Sequence, residues 1–411
     1  MTGKLDVLRE RDFRWFFLGS LASLVGDYMA PVALAFAVLA IGGPEDLGLV
    51  LAARVVPLLA LMLIGGVIAD RLPRRTVMLW ADAVRAAGQG VLAALLLTGS
   101  AHIWQLVALQ VVHGTASALF MPAITGLVPQ TVPAERLQEA NSLFSLARAA
   151  GNVAGPVLAG LLVAFAGAGW AIAADAATFA ISGVCLCFLP KAIVSARLSA
   201  RTMLSDLREG WREFTARRWV WTTVALASLA NMFQAAYLVL GPALVNDRLG
   251  GPVAWGLIVG SFGAGACSGG LATLWLKIRL PLRSGALAVS LFSAPILALA
   301  LELPAPAVAF AAFIGGFGLT FFNTLWETTL QSRIPNDRLS RVSAYEWLGS
   351  MACQPLGMLL IPLVAASTGP RPVLWVCGVA LLVMFPCLLL IRDVREMPSA
   401  AAPKMQAAHG N

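Results

Sequence analysis

Charge, histidine and cysteine are all scarce in this sequence, and each scarcity closes off a class of function. Only 12% of the 411 residues are charged while 59% are hydrophobic, with mean hydropathy +0.81. A water-soluble globule of that balance would expose very large apolar patches. There are three histidines, with no His-x-x-x-His pair, no Gly-x-Ser-x-Gly elbow and no Gly-x-x-x-x-Gly-Lys-Ser/Thr loop. Those absences argue against a zinc hydrolase, a serine hydrolase and an ATP-driven pump. The six cysteines, Cys185, Cys187, Cys267, Cys353, Cys377 and Cys387, lie in apolar runs where they act as small apolar residues. Cys185-x-Cys187 points its thiols to different helix faces and has no histidine beside it, so neither a disulfide framework nor a metal site is expected. The sequence implies no cofactor and no enzyme.

Apolar length is what the sequence has in abundance. Runs of roughly 20 residues, enough to cross the hydrocarbon core as helix, place spans near 14–39, 47–69, 77–98, 102–127, 141–166, 170–189, 219–243, 253–275, 284–303, 306–330, 343–366 and 373–391. The fold class expected is therefore all-α and polytopic, with twelve transmembrane helices. The first run is expected to be a span, since no small-residue cleavage site follows it.

Sorting the 29 Lys and Arg residues among the segments orients the chain. With both termini cytoplasmic, 24 fall on the cytoplasmic side, only Arg248 and Arg371 on the other, and Arg54, Arg85 and Arg148 within spans. That is a strong positive-inside signal for a multi-pass protein of the cell membrane. The net charge of +8 follows from it, so no nucleic-acid partner is implied. Tryptophans at span ends, among them Trp15, Trp80, Trp104, Trp170, Trp219, Trp255 and Trp275, read as an interfacial belt.

The segment Pro133-Ala-Glu-Arg-Leu137 recurs as Pro335-Asn-Asp-Arg-Leu339, 202 residues later, and the same offset pairs Gly114 with Gly316 and Gly155 with Gly357. A duplicated six-span unit is expected: residues 1–189 and 219–391 as two halves, 190–218 as a basic linker, and 392–411 as a cytoplasmic tail. Leu204, Leu207, Trp211 and Phe214 share one helical face and predict an interfacial helix in the linker.

After the second span stands Gly66-Val-Ile-Ala-Asp70-Arg71-Leu-Pro73-Arg74-Arg75, and span 5 carries Gly151-Asn-Val-Ala-Gly155-Pro156-Val-Leu-Ala-Gly160. The first resembles the Gly-x-x-x-Asp-Arg-x-Gly-Arg-Arg signature of the major facilitator superfamily, with Pro73 in place of its usual glycine. The second is similar to the Gly-x-x-x-Gly-Pro-x-x-x-Gly element of that family's drug/proton antiporters. The chain as a whole resembles the twelve-span branch that includes siderophore and macrolide exporters. The resemblance implies a monomeric secondary transporter in the bilayer that exchanges protons for a small molecule, with a site between halves at mid-membrane. It also implies a cytoplasmic gate at Gly66, Asp70, Arg71, Arg74 and Arg75. Small residues four apart let helices approach closely, and Pro156 is expected to free a carbonyl and bend its helix.

Polar residues inside spans are costly and therefore informative. They recur on every third span: Ser20, Ser23 and Asp27; Gln110, His113 and Ser117; Ser228, Asn231, Gln234 and Tyr237; Thr320, Asn323, Glu327 and Gln331. Asp82, Arg85 and Gln89 in span 3 and Asp175, Thr178 and Ser182 in span 6 fall outside that pattern. Ser23, Gln110, His113, Asn231, Gln234, Asn323 and Trp326 are candidates to line a substrate cavity. Asp27, midway along its span with no arginine within one turn, is the first candidate for proton coupling, because desolvation favours a protonated carboxyl. Glu327 and Glu346 come second, with Arg148 placed to neutralise one of them. Packing roles compete with each of these assignments. Proton-coupled uptake by the same fold, or a receptor that transports nothing, are the rival readings.

Overall fold

The computed structural model describes residues 6–190, 210–276 and 278–398, without the side chains of 63–71, 336, 337, 340 and 341 inside helices. The described residues form helices joined by short turns. The first six are α1 (Arg11–Leu39), α2 (Pro44–Arg71), α3 (Arg74–Leu97), α4 (Ile103–Thr131), α5 (Leu137–Ala166) and α6 (Ala168–Cys187). Then follow α7 (Arg218–Arg248), α8 (Gly251–Trp275), α9 (Pro281–Val289), α10 (Ala294–Ala300), α11 (Ala305–Arg333), α12 (Asn336–Met351), α13 (Gln354–Thr368), α14 (Pro370–Met384) and the short α15 (Arg392–Glu396). Among the described residues, ten helical stretches are long and apolar enough to cross a membrane. α2 and α3, 28 and 24 residues long, are not among those ten. α3 carries Asp82 and Arg85 in its middle, and the side chains at the end of α2 are not described.

Two of the expected spans are broken. Span 9 consists of α9 and α10 separated by a 3-10 turn at Ser290–Ser293, just before Pro295, which cannot donate into a continuing helix. Span 11 is α12 and α13, interrupted before Pro355. α7 mends that break: Asn231 Nδ2 donates to the Ser350 carbonyl (2.9 Å) and the Cys353 amide donates to Ser228 Oγ (3.2 Å). Backbone groups freed inside a bilayer need such partners. α5 runs through Pro156 as one uninterrupted helix.

Helix pairing in the first six elements recurs later in the chain. α2 packs on α4 and α1 on α5 and α6; correspondingly α8 packs on α11, and α7 on α12, α13 and α14. Gly167, between α5 and α6, and Gly369, 202 residues on between α13 and α14, both adopt positive φ (93° and 87°), a turn that favours glycine. The duplicated Pro-x-x-Arg-Leu segments act alike. Arg136 reaches Glu10 (3.1 Å) and the Asp6 carbonyl (2.9 Å), while Arg338 reaches Glu213. Each arginine thus ties the start of one long helix to the segment leading into an earlier one.

Most basic residues gather at one end of the bundle. There Arg75 donates to the Leu186 and Cys187 carbonyls at the C-terminus of α6 (2.7 and 3.0 Å), a cation placed where a helix end is negative, and Arg74 donates to the Gly126 carbonyl within α4. At the distal end Arg248 pairs with Glu302 (2.6 Å) and Arg371 donates to the Ala300 carbonyl (3.2 Å). The distal end is sealed. Val32–Val38 of α1 are buried without interruption, and a side chain at Gly48 of α2 would meet the Met358 carbonyl of α13. At the basic end Leu146, Arg148, Glu327 and Gln331 are exposed.

The tryptophan belt needs correction at two members. Trp80, Trp104, Trp170 and Trp275 are exposed, but Trp219 and Trp255 are core residues. Trp219 meets Trp326 edge-on (5.4 Å between centroids) and Trp255 packs on Tyr237 (4.9 Å). In the linker, Leu204 and Leu207 lie outside the described residues. Trp211 and Phe214 sit on a helical turn at 210–215 with their rings against Tyr345 of α12 (5.6 and 6.2 Å).

Candidate functional site

The polar residues of α3 and α6 that fell outside the expected pattern form the most elaborate site in the protein. Asp82, Arg85 and Gln89 are spaced 3 and 4 apart, and so are Asp175, Thr178 and Ser182, so each set makes one stripe on its helix. The stripes face one another. Ser182 Oγ donates to Asp82 Oδ2 (2.7 Å) and Gln89 Nε2 to Asp175 Oδ2 (2.7 Å), while Arg85 pairs with Asp82. Asp82 and Asp175 have no exposure to solvent and Arg85 has 2%. The Arg85 guanidinium is also sandwiched between Phe120 of α4 (3.9 Å) and Phe179 of α6 (4.3 Å), a cation–π arrangement that compensates for lost water.

Asp27 of α1 joins this network from the side. Its own helix carries no arginine within one turn, but arginines from two other helices reach it. Arg85 Nη1 lies 3.6 Å from Asp27 Oδ2 and Arg54 Nη2 of α2 lies 3.7 Å from Asp27 Oδ1. These are ion pairs longer than hydrogen bonds. The Asp27 side chain keeps 31% exposure, so it joins the buried cluster to water. Spacing within one helix could not reveal partners supplied by others.

Ser23, Gln110 and His113, expected to line a cavity, are buried in packing instead. Ser23 Oγ bonds the Ser20 carbonyl of its own helix (3.2 Å) and His113 packs edge-on against Phe179 (5.8 Å). Both His113 nitrogens, Gln110 Oε1, Arg85 Nε and Asp175 Oδ1 are buried with no hydrogen-bond partner.

A second site lies among the later helices. A cavity of about 250 Å³ is lined by Asn231 and Gln234 of α7, Asn323 and Trp326 of α11, Glu346 and Ser350 of α12, Gln354 of α13 and several aromatic rings. Four of the expected cavity residues therefore come together. Trp326 Nε1 donates to Glu346 Oε1 (3.2 Å) and its ring packs on Trp219 and Phe322, so its indole orients the carboxylate and fills the wall. Glu327 points away and is exposed. Arg148 is exposed too, and among the described ion pairs it joins neither glutamate. Among the described residues, no lysine or arginine lines the cavity.

The Gly151–Gly160 element holds α5 against two neighbours. A Cβ at Gly151 or Gly155 would meet Tyr28 of α1 (2.7 and 2.5 Å), and one at Gly160 would meet the Pro252 carbonyl of α8 (2.5 Å). The carbonyl deprived of its helical donor by Pro156 is that of Asn152, and Gly263 of α8 lies directly over it. The expected gate residues Gly66, Asp70 and Arg71 have side chains outside the described residues. Arg74 and Arg75, its other members, bind carbonyls as given above.

Long helices packed on a sealed end, with charge buried among them and a polar cavity beside, define a multi-pass membrane transporter rather than an enzyme. The chain belongs to the major facilitator superfamily, matching its transmembrane secretion effector family over residues 2–409. Among curated relatives, the uncharacterized MFS-type transporter YvqJ of Bacillus subtilis (strain 168) is 22% identical over 385 residues, covering 91% of this chain and 90% of the relative. The enterobactin exporter EntS of Escherichia coli O1:K1 / APEC is 27% identical over 350 residues, covering 82% of each chain. Two solved structures share the fold. A peptide transporter POT in complex with sulfate superposes with TM-score 0.70 at 13% identity, covering 96% of this chain and 98% of that one. The nucleoside transporter NupG does so with TM-score 0.67 at 15% identity, covering 95% and 99%.

Proposed function

We propose that this protein exports a small amphipathic molecule, of the drug, macrolide or siderophore kind, across the cell membrane in exchange for protons. It works as a monomer of two six-span halves, residues 1–189 and 219–391, with both termini in the cytoplasm and the basic end facing inward. The observation that carries this reading is the pairing of a buried charge network in one half with a polar, aromatic-walled cavity in the other. The cavity offers amides and hydroxyls for orientation and rings for apolar contact, the usual make-up of a small-molecule site. The charge network offers carboxylates that can gain and lose protons as access alternates. The distal helix ends pack closely while Leu146, Arg148, Glu327 and Gln331 are exposed at the basic end, which supports loading of cargo from the cytoplasm. The likeness to an enterobactin exporter supports export over uptake, and Asp70 with its neighbouring arginines is assigned the inner gate.

The test is transport by purified protein in proteoliposomes with an imposed pH gradient, against a panel of enterobactin, erythromycin and ethidium. Gradient-dependent movement of at least one compound toward the compartment that supplies the protons is expected. Movement of none, or movement unaffected by collapsing the gradient, would overturn the proposal.

A further inference from the structure

Among the described residues, three carboxylates, Asp27, Asp82 and Asp175, meet only two guanidinium groups, Arg54 and Arg85, in the network of the first half. His113 adds no balancing charge, since an imidazolium buried with neither nitrogen bonded would be costly. With every carboxylate ionised the cluster carries one uncompensated negative charge, and buried charge without a partner is strongly unfavourable. One proton restores neutrality.

Where that proton sits follows from what each carboxylate receives. Asp27 has two arginines within 3.7 Å, and Asp82 has Arg85 together with the Ser182 hydroxyl. Asp175 has only a neutral donor, the Gln89 amide on Oδ2, while its Oδ1 is buried and bare. That bare oxygen faces Gly26, where a Cβ would stand 2.4 Å from it and 2.2 Å from Thr178 Oγ1. Gly26 immediately precedes Asp27, the one carboxylate of the three that reaches water.

Taking the proton-coupled reading above as its basis, we propose that Asp175 holds the exchanged proton on Oδ1, that Gln89 fixes its other oxygen, and that the close approach of Oδ1 to Gly26, which leaves no room for a Cβ, sets it beside Asp27 for the transfer. The charged and titratable groups facing Asp175 are Asp27 from α1, Arg54 from α2, Arg85 from α3 and, across Phe179, His113 from α4. In the step, the O–H bond at Asp175 breaks and its proton passes to Asp27, which can accept it once one of its two long ion pairs opens. Asp27 then delivers the proton to water, and Asp175, left as carboxylate, is reprotonated by the same path in the other conformation.

Infrared difference spectroscopy of the purified protein in lipid reads this without any cargo. The wild type should show the carbonyl stretch of one buried protonated carboxyl, absent in Asp175→Asn and still present in Glu346→Gln. Gln89→Leu should shift the band without abolishing it, because it removes a hydrogen bond to that same carboxyl. Asparagine keeps the size of Asp175 and still accepts from Gln89, and circular dichroism with Asp175→Glu, which should restore a band, controls for folding. A band that survives in Asp175→Asn, or vanishes in Glu346→Gln, would overturn the assignment. In proteoliposomes Asp175→Asn should lose all stimulation by a pH gradient of whichever of enterobactin, erythromycin and ethidium the wild type moves. A wild type insensitive to the gradient, with the band behaving as stated, would refute the coupling and leave Asp175 as the proton site.

Discussion

Arg85→Leu tests whether the buried network is a coupled unit. The change leaves Asp82 with a single hydroxyl donor and Asp27 with Arg54 alone, and it empties the space between Phe120 and Phe179. Breaking one partner out of a buried pair costs about 3–5 kcal/mol, because the remaining charge is uncompensated. Loss of the desolvated cation–π contacts adds about 2 kcal/mol, which the leucine side chain partly offsets by filling the slot. Removing Asp82 as well, in Arg85→Leu/Asp82→Leu, eliminates the orphaned charge, so the double variant should be more stable than Arg85→Leu by about 2 kcal/mol or more. Reversible unfolding by SDS in mixed micelles, followed by helicity, supplies the free energies. The deficit of Arg85→Leu should also shrink at acid pH, where protonation neutralises the abandoned carboxylates. A double variant as unstable as the sum of its singles would show that Asp82 and Arg85 are not coupled.

The topology predicts that single cysteines at Gly43 and Gly251 react with an impermeant thiol reagent on intact cells, and that cysteines at Ser199 and Met405 do not; the opposite labelling would invert the protein. Gly160→Leu drives a side chain into the α8 backbone at Pro252, so it should lower the unfolding free energy by about 1–3 kcal/mol, and an unchanged value would mean that this seam is loosely packed. At the basic end, hydrogen bonding from Arg217 first, and the charge of Arg338 after it, hold the Glu213 carboxyl below its ordinary value. A lowered carboxylate contributes stability that is complete above the ordinary value and is lost as pH falls through the lowered one. Arg338→Gln should therefore reduce stability at neutral pH and make no difference below the carboxylate range; a deficit independent of pH would assign Arg338 a purely packing role.

The all-helical architecture is legible because membrane helices are written in long apolar runs. The 202-residue repeat went further than expected: it carries the arginine ties of Arg136 and Arg338 and the positive-φ glycines Gly167 and Gly369. The helix breaks at Ser290–Ser293 and before Pro355 were not read, since prolines such as Pro156, Pro129 and Pro31 are carried inside unbroken helices. A proline interrupts a span only where neighbouring residues satisfy the freed groups, as Ser228 and Asn231 do. For the site, Asn231, Gln234, Asn323, Trp326 and Glu346 converge as their helix faces suggested. The charge network is not found by that periodicity, because α3 and α6 fall outside the every-third-span pattern of polar residues. Its signal was nonetheless present, in two polar triplets of identical 3-and-4 spacing whose acids and donors complement each other across the helices.

The central claim is that cargo and protons move in exchange through this bundle. It is tested most directly by loading proteoliposomes with a pH-sensitive dye and no pH gradient, then imposing a gradient of a transported compound and following the internal pH. The account predicts proton movement opposite to the compound, present in the wild type and absent in Asp175→Asn. Movement of the compound with no change of internal pH in the wild type would contradict it.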